Sequence, residues 1–178
     1  IEGTDVWHLE VEIPPRSRIE YKFEVHRKGR SEWIRDPLNP HLARDPFGAN
    51  SVLQGEGYEI PEWTRVDPRA RQGTLEPFKL YSDAFGGERG GHLYLPARMR
   101  TSRRYPLLVI HDGGDYLNYT GMKVVLDNLI ERLEIPPLIA AFIDPYDRLR
   151  EYANDERHAR YVTKELVPYL AGRLPILD

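Results

Sequence analysis

The stretch Arg103-Arg104-Tyr105-Pro106-Leu107-Leu108-Val109-Ile110-His111-Asp112-Gly113-Gly114-Asp115 constrains the fold more than any other part of the chain. After Pro106, Leu107 to Ile110 run without alternation, the pattern of a strand buried on both faces. The run then breaks into His-Asp-Gly-Gly-Asp. An apolar strand that ends in a glycine turn and leads to an amphipathic helix is a βα unit. Its loop falls at the carboxyl end of the strand, where open α/β sheets place their ligands.

The residues downstream extend the unit. Met122, Val125, Leu126, Leu129, Ile130 and Leu133 recur at helical spacing, with Lys123, Asp127 and Glu131 on the opposite side. Pro136-Pro137 stops this helix, and Leu138 to Ile143 form a second buried strand ending at Asp144-Pro145. Strand, helix, strand in that order predicts a right-handed parallel crossover. A second helix is expected from Asn154 as N-cap, with Ala159, Val162, Leu166 and Leu170 inward, a kink at Pro168 and Gly172 as C-terminal cap. Upstream, Phe78 to Ser82 and His92 to Pro96 read as a hairpin with a flexible tip, Gly86 to Gly91. Arg98, Arg100, Arg103 and Arg104 read as a solvated loop.

The first third is strand-rich. Trp7, Leu9, Val11 and Ile13 alternate with polar residues, and so do Ile19, Tyr21, Phe23 and Val25. Lys28-Gly29-Arg30-Ser31 is a turn, and Trp33-Ile34 begins a third strand. Half-buried strands need a covering sheet, so a small β-sandwich is expected. From Gly55 to Gly73, Pro, Gly and charge without periodicity suggest a surface connector. The expected domains are residues 1–73 and 74–178.

Composition excludes several classes. The 178 residues are 40% hydrophobic and 30% charged with a net charge of −3, which offers no basic field for nucleic acid. No apolar run approaches the length of a membrane span. Without cysteine there are no disulfides or thiolate metal sites. The chain opens Ile1-Glu2-Gly3 without an initiator Met, so it does not fix the native N-terminus; a cytoplasmic location is the default expectation.

Several motifs taken together resemble one family. Tyr21-Lys22-Phe23, Trp33-Ile34-Arg35-Asp36-Pro37-Leu38-Asn39-Pro40 and Phe47-Gly48-Ala49-Asn50-Ser51-Val52 resemble the immunoglobulin-like N-terminal module of enterochelin-esterase-like proteins. Tyr94-Leu95-Pro96, His111-Asp112-Gly113, Asp147-Arg148-Leu149-Arg150-Glu151-Tyr152 and Glu165-Leu166-Val167-Pro168 resemble the esterase D-like hydrolases. Each motif is weak alone, but four in order are fairly specific, and the resemblance covers nearly the whole chain. It implies a mixed fold: an immunoglobulin-like β-sandwich, then the N-terminal half of a three-layer α/β-hydrolase domain. It also implies ester hydrolysis by a Ser nucleophile, on a catecholate siderophore or another small-molecule ester. The Gly114 N–H would be one oxyanion-hole donor, with Gly113 shaping the loop; the competing reading is that both glycines only permit the strand-to-helix turn. Asp115, Arg148 and Arg150 are the substrate-binding candidates.

The nucleophile is the difficulty. Ser17, Ser31, Ser51, Ser82 and Ser102 are the serines, and none sits in Gly-x-Ser-x-Gly. His111 comes too early in the chain for a triad His and is expected to orient the loop. The given chain is therefore expected to be part of a longer hydrolase and inactive alone. His111, Asp112, Asp115, Asp144 and Asp147 could converge on a hard cation, but turn chemistry and pairing with Arg148 or Arg150 explain them, so neither metal nor cofactor is expected. The alternative reading is a non-catalytic carbohydrate-binding or interaction module. Trp33, Tyr58 and Trp63 could stack on sugars, although packing is the expected role. Asn118-Tyr119-Thr120 is expected to begin a helix rather than to accept a glycan. Neither nucleic acid nor membrane is an expected partner, and a homodimer is left open.

Overall fold

The structure, a computed structural model, describes residues 2–5 and 8–177 and divides into two compact units, Ile1–Ile60 and Pro61–Asp178. In the first unit β1 (Arg18–Tyr21), β5 (Gly48–Gln54) and β4 (Leu42–Asp45) form a three-stranded antiparallel sheet in the order β1-β5-β4. β2 (Phe23–Arg27) and β3 (Arg30–Ile34) form a separate hairpin. Its turn has positive φ at both central residues, Lys28 (48°) and Gly29 (75°), which matches the right-handed twist of the strands. The alternating run from Ile19 to Val25 is thus two strands that change sheet at Lys22. The expected strand over residues 7–13 does not form in its described part: residues 8–14 are irregular, with Leu9 and Val11 exposed, and Trp7 lies outside the described residues. Alternation alone supplies no partner strand, and the run meets Pro14-Pro15.

The second unit is built on a four-stranded sheet ordered β6-β7-β9-β8. β6 (Thr74–Ser82) and β7 (Gly87–Leu95) are an antiparallel hairpin, β9 (Ile139–Ile143) runs antiparallel to β7, and β8 (Leu107–His111) runs parallel to β9. Strand β9 is buried along its whole length, and its alternate residues feed two cores. Ile139, Ala141 and Ile143 pack with Tyr161, Leu166 and Leu170; Ala140 and Phe142 pack with Tyr94, Ile110 and Leu126. Each large apolar side chain so buried contributes about 1.5–3 kcal/mol. Helices α1 (Gly113–Tyr119) and α2 (Met122–Glu131) follow β8. After β9 come the one-turn α3 (Arg148–Glu151), α4 (Glu156–Arg160), a π-helical segment over Tyr161–Leu166 and α5 (Val167–Ala171).

Four sequence expectations need correction here. β8 is an edge strand with Leu108 exposed, not a strand buried on both faces. Near its start, Tyr105 N–H donates to Pro175 O (2.8 Å) and Leu177 N–H to Tyr105 O (2.9 Å), so the last described residues join that edge only at its beginning. Asp127 is buried, not solvated: its carboxylate accepts from Tyr94 Oη (2.8 Å), Gly73 N (2.8 Å) and Lys123 Nζ (2.6 Å). With Asn128 Nδ2, which donates to Trp63 O (2.8 Å) and Arg65 O (2.7 Å), it ties the connector to α2. The glycine-rich tip is mostly strand: only Gly86 has positive φ, and a Cβ on Gly90 would lie 2.5 Å from Phe78 O. Finally, Asp155 rather than Asn154 caps α4, accepting from Arg157 N (2.9 Å).

Candidate active site

The turn between β8 and α1 stands at the carboxyl end of the parallel pair, and its conformational burden falls on an unexpected residue. Asp112 adopts the left-handed region (φ 52°, ψ 42°), while neither Gly113 nor Gly114 has positive φ. For a residue with a Cβ this conformation costs about 1–2 kcal/mol. Two groups from the loop after β9 hold it. Asp112 N–H donates to Tyr152 Oη (3.1 Å), and Arg148 Nε donates to both carboxylate oxygens of Asp112 (3.1 and 3.0 Å). Burial, above all, pushes the Tyr152 pKa up to about 12, with the Asp112 charge adding to it, so the phenol stays neutral and accepts this bond over the physiological range.

The two glycines serve different ends. Gly113 is buried, and a Cβ there would lie 2.5 Å from the carbonyl carbon and Cβ of Phe142. A side chain is excluded because the backbone of α1 packs directly on β9. Gly114 is more open; the nearest atoms to a Cβ there would be those of the Asp144 carboxylate, at 3.2 Å. Its N–H donates to Asp144 Oδ1 at 2.9 Å. The donor expected to serve an oxyanion is therefore directed at an anionic oxygen from the end of β9.

The loop after β9 is itself fixed from below by Arg89. The Arg89 and Glu151 side chains are 2% and 5% exposed, and Arg89 Nη1 donates to Glu151 Oε1 at 3.0 Å. The guanidinium lies over the rings of Phe85 (4.3 Å) and Tyr146 (4.5 Å). Glu151 also accepts from Tyr146 N (2.9 Å) and Asp147 N (3.2 Å), which closes the turn that leads into α3. Burial works to raise the Glu151 pKa, but Arg89 and these two backbone N–H groups outweigh it and hold the carboxyl below its ordinary value.

A cavity of about 780 Å³ runs along β8, bordered by His111, Asp112, Tyr116, Met122, Tyr152 and His158. His111 Nδ1 lies 3.3 Å from His158 Nε2, and His158 Nδ1 lies 3.5 Å from Glu151 Oε2. The rings of His111, Tyr152 and His158 stack edge to face or tilted at 5.0–5.4 Å. Burial of its ring and the neighbouring His158 lower the His111 pKa, with Asp112 opposing.

The sequence-predicted residues sort as follows. Gly113, Gly114, Asp115 and Arg148 meet at one turn, where Asp115 occupies the first turn of α1 and its N–H donates to Asp112 O (3.0 Å). Arg150 instead faces Asp147 at 3.9 Å on the exposed side of α3. Among the described residues no three His, Asp or Glu side chains converge as a metal site; Asp112, Asp144 and Asp147 hold Arg148, Gly114 N and Arg150 N. Asn118-Tyr119 ends α1 rather than beginning a helix. Trp33 is 63% exposed, Trp63 41% exposed and Tyr58 partly exposed, so none of the three is a core side chain. Sequence reasoning missed Arg89, hidden in the glycine-rich run, and the bracing role of Tyr152. The positive signal for Tyr152 was its place next to Glu151 in the quoted motif.

The chain is similar to several known esterases. The iron(III) enterobactin esterase of Dickeya dadantii (strain 3937) is 25% identical over 214 residues, covering all of this chain and 48% of that protein. The enterobactin esterase FES from Shigella flexneri, solved in the presence of enterobactin, superposes with a TM-score of 0.73 at 23% identity over 100% of this chain and 51% of its own. A ferulic acid esterase of Anaeromyces mucronatus gives a TM-score of 0.56 at 15% identity, over 66% of this chain and 50% of that one. The chain thus spans about half the length of these relatives. The family model described as "Putative esterase" matches residues 82–178, a span that begins at the end of β6 and takes in β7, β8, the Asp112–Gly114 turn and everything after it, and the chain belongs to that esterase family.

Proposed function

We propose that this chain supplies the oxyanion-turn half of a carboxylic ester hydrolase active site, with the Gly114 N–H as one oxyanion donor. The observation that carries the reading is the braced turn: a backbone N–H at the carboxyl end of a parallel strand, already aimed at an anionic oxygen, Asp144 Oδ1. A tetrahedral intermediate places its oxyanion where two such donors converge, and a fixed donor needs no reorganisation as charge develops. In the resting structure the Asp144 carboxylate takes that donor, so substrate must displace it; the exposed position of Asp144 allows this.

The second donor, the Ser nucleophile and the triad His are proposed to lie outside this chain. Ser82 Oγ is committed to Glu165 and Ser51 Oγ accepts from Asp36 N (2.9 Å). Ser31 Oγ lies 2.8 Å from His26 Nδ1, but on the exposed β2–β3 hairpin, where water screens any developing charge. The reading includes an immunoglobulin-like sandwich over residues 1–73, supported by the two antiparallel sheets of the first unit, and half of an α/β-hydrolase domain over 74–178. The substrate is a small ester, a catecholate siderophore being one candidate because the relatives named above include enterobactin esterases. The test is turnover of a p-nitrophenyl acyl ester and labelling by a serine-directed phosphonate. The complete gene product should turn over and label at one Ser, and the 178-residue chain should do neither; labelling of Ser31 or any other Ser in this chain would refute the assignment.

A second reading has one observation in its favour. Trp33 and Phe47, both exposed, border a cavity of about 690 Å³ in the first unit together with Lys22, Arg35 and Asn39. An exposed aromatic beside polar groups suits carbohydrate stacking. Isothermal titration with linear maltooligosaccharides separates this binding-module reading from the esterase one.

A further inference from the structure

We propose that Tyr152 and Arg148 are positioning residues for ester hydrolysis, acting on the oxyanion donor only through the backbone of Asp112. This rests on the reading of Gly114 N–H as that donor. The geometry is specific. Asp112 is the sole residue of the turn with positive φ, and it lies two residues before Gly114. Were Asp112 to relax to a right-handed conformation, the peptide planes leading into α1 would rotate and re-aim the Gly114 N–H. Within the turn only the Asp112 carbonyl is engaged, accepting from Asp115 N (3.0 Å) and Tyr116 N (3.1 Å); its side chain does not cap α1, so its N–H and carboxylate take partners from outside the turn. Its N–H is held by Tyr152 Oη, and its carboxylate by Arg148 Nε, from opposite ends of the one-turn α3 and its C-terminal flank.

The brace is in turn anchored to the core. Between Arg148 and Tyr152 stands Glu151, which is fixed by buried Arg89 on β7, so the two bracing groups flank the one buried ion pair of the loop. The Tyr152 ring packs edge to face against both His111 and His158, which also touch each other. Arg148, by contrast, is exposed, and its guanidinium lies 5.7 Å from the centroid of the Tyr152 ring, so its replacement touches the brace but not the buried core. A displacement of about 1 Å in a donor can cost about 100-fold in rate, whereas substrate affinity gathered elsewhere in a pocket is not touched by it.

The experiment measures kcat, KM and thermal midpoint on the complete gene product with a p-nitrophenyl ester. Tyr152→Phe and Arg148→Gln should each lower kcat about tenfold or more, leave KM within about twofold and leave the midpoint nearly unchanged. Arg148→Lys, which keeps one charged donor, should recover part of the loss. Glycine adopts the left-handed region without a brace, so Tyr152→Phe placed in an Asp112→Gly background should cost at most about threefold relative to that background. Variants that keep full kcat, that change KM alone, or that lose kcat in proportion to stability with no relief in the Asp112→Gly background would overturn the positioning role. An inactive wild-type protein would instead remove the oxyanion reading itself, and the positioning role with it.

Discussion

Gly113→Ala and Gly114→Ala are adjacent, chemically identical changes whose effects should differ sharply. At Gly113 the new Cβ would sit 2.5 Å from the Phe142 carbonyl carbon and Cβ and 2.6 Å from Ile143 N, about 1 Å inside normal contact. Those atoms belong to β9, which is fully buried and paired on both sides, so it cannot retreat. Overpacking costs about 1–3 kcal/mol, and a backbone obstacle puts this site at the upper end. The helix preference of Ala over Gly returns up to about 1 kcal/mol. The net loss is about 2 kcal/mol, or roughly 8 °C in the melting midpoint of a unit this size. At Gly114 the nearest atoms to the Cβ are those of the exposed Asp144 carboxylate, at 3.2 Å, a side chain that can shift, so the midpoint should stay within about 2 °C of wild type. Differential scanning calorimetry of both variants decides the matter. Equal melting of Gly113→Ala and wild type would mean that α1 does not pack on β9 as described, and an equal loss in both variants would mean that the glycines act by conformational freedom instead.

Further expectations concern the buried polar groups. Glu151→Ala strands the Arg89 guanidinium in a site where its side chain is 2% exposed and should destabilise the second unit by about 3–5 kcal/mol, read from urea unfolding. The same carboxyl sets an acid dependence. Its native pKa lies below the ordinary value, so in the window between the two the unfolded chain binds more protons and stability rises with pH. The contribution is present above the ordinary Glu value of about 4.3 and is lost as pH falls through the lower native value; Glu151→Gln should flatten the slope of unfolding free energy in that window. Asp127→Ala removes the acceptor shared by Tyr94, Gly73 and Lys123 and should cost about 2–3 kcal/mol, with faster amide exchange at Gly73.

What could be read from the sequence divides along physical lines. The β8–α2–β9 order is legible because its signals are local: uninterrupted apolar runs, a 3.6-residue period and proline stops; α1 is not, since Gly113–Tyr119 opens on two glycines and carries no such period. The β6–β7 hairpin is legible from local signals as well, though its glycines mislead. Gly90 reads as flexibility but is a packing requirement, and that distinction depends on Phe78, a residue twelve positions away that no local pattern involves. Asp127 and Asn128 sit on the polar side of a helical wheel, yet are buried because an irregular connector needs partners for its backbone groups. At the site, the Asp112-Gly113-Gly114 turn is legible, but its pattern points to the glycines as the residues that permit the turn, whereas Asp112 adopts the left-handed conformation. Only the contact of Asp112 with Tyr152 and Arg148, across about 40 residues of chain, reveals which residue is held and by what.

The central claim is that the Gly114 N–H receives the oxyanion. The most direct measurement is a crystal structure of the complete gene product carrying a phosphonate adduct at its Ser nucleophile. The phosphonyl oxygen should lie about 2.7–3.1 Å from Gly114 N, with the Asp144 carboxylate turned away from it and Asp112 still left-handed. A Gly114 N–H that remains bonded to Asp144, while other donors hold the phosphonyl oxygen, would contradict it.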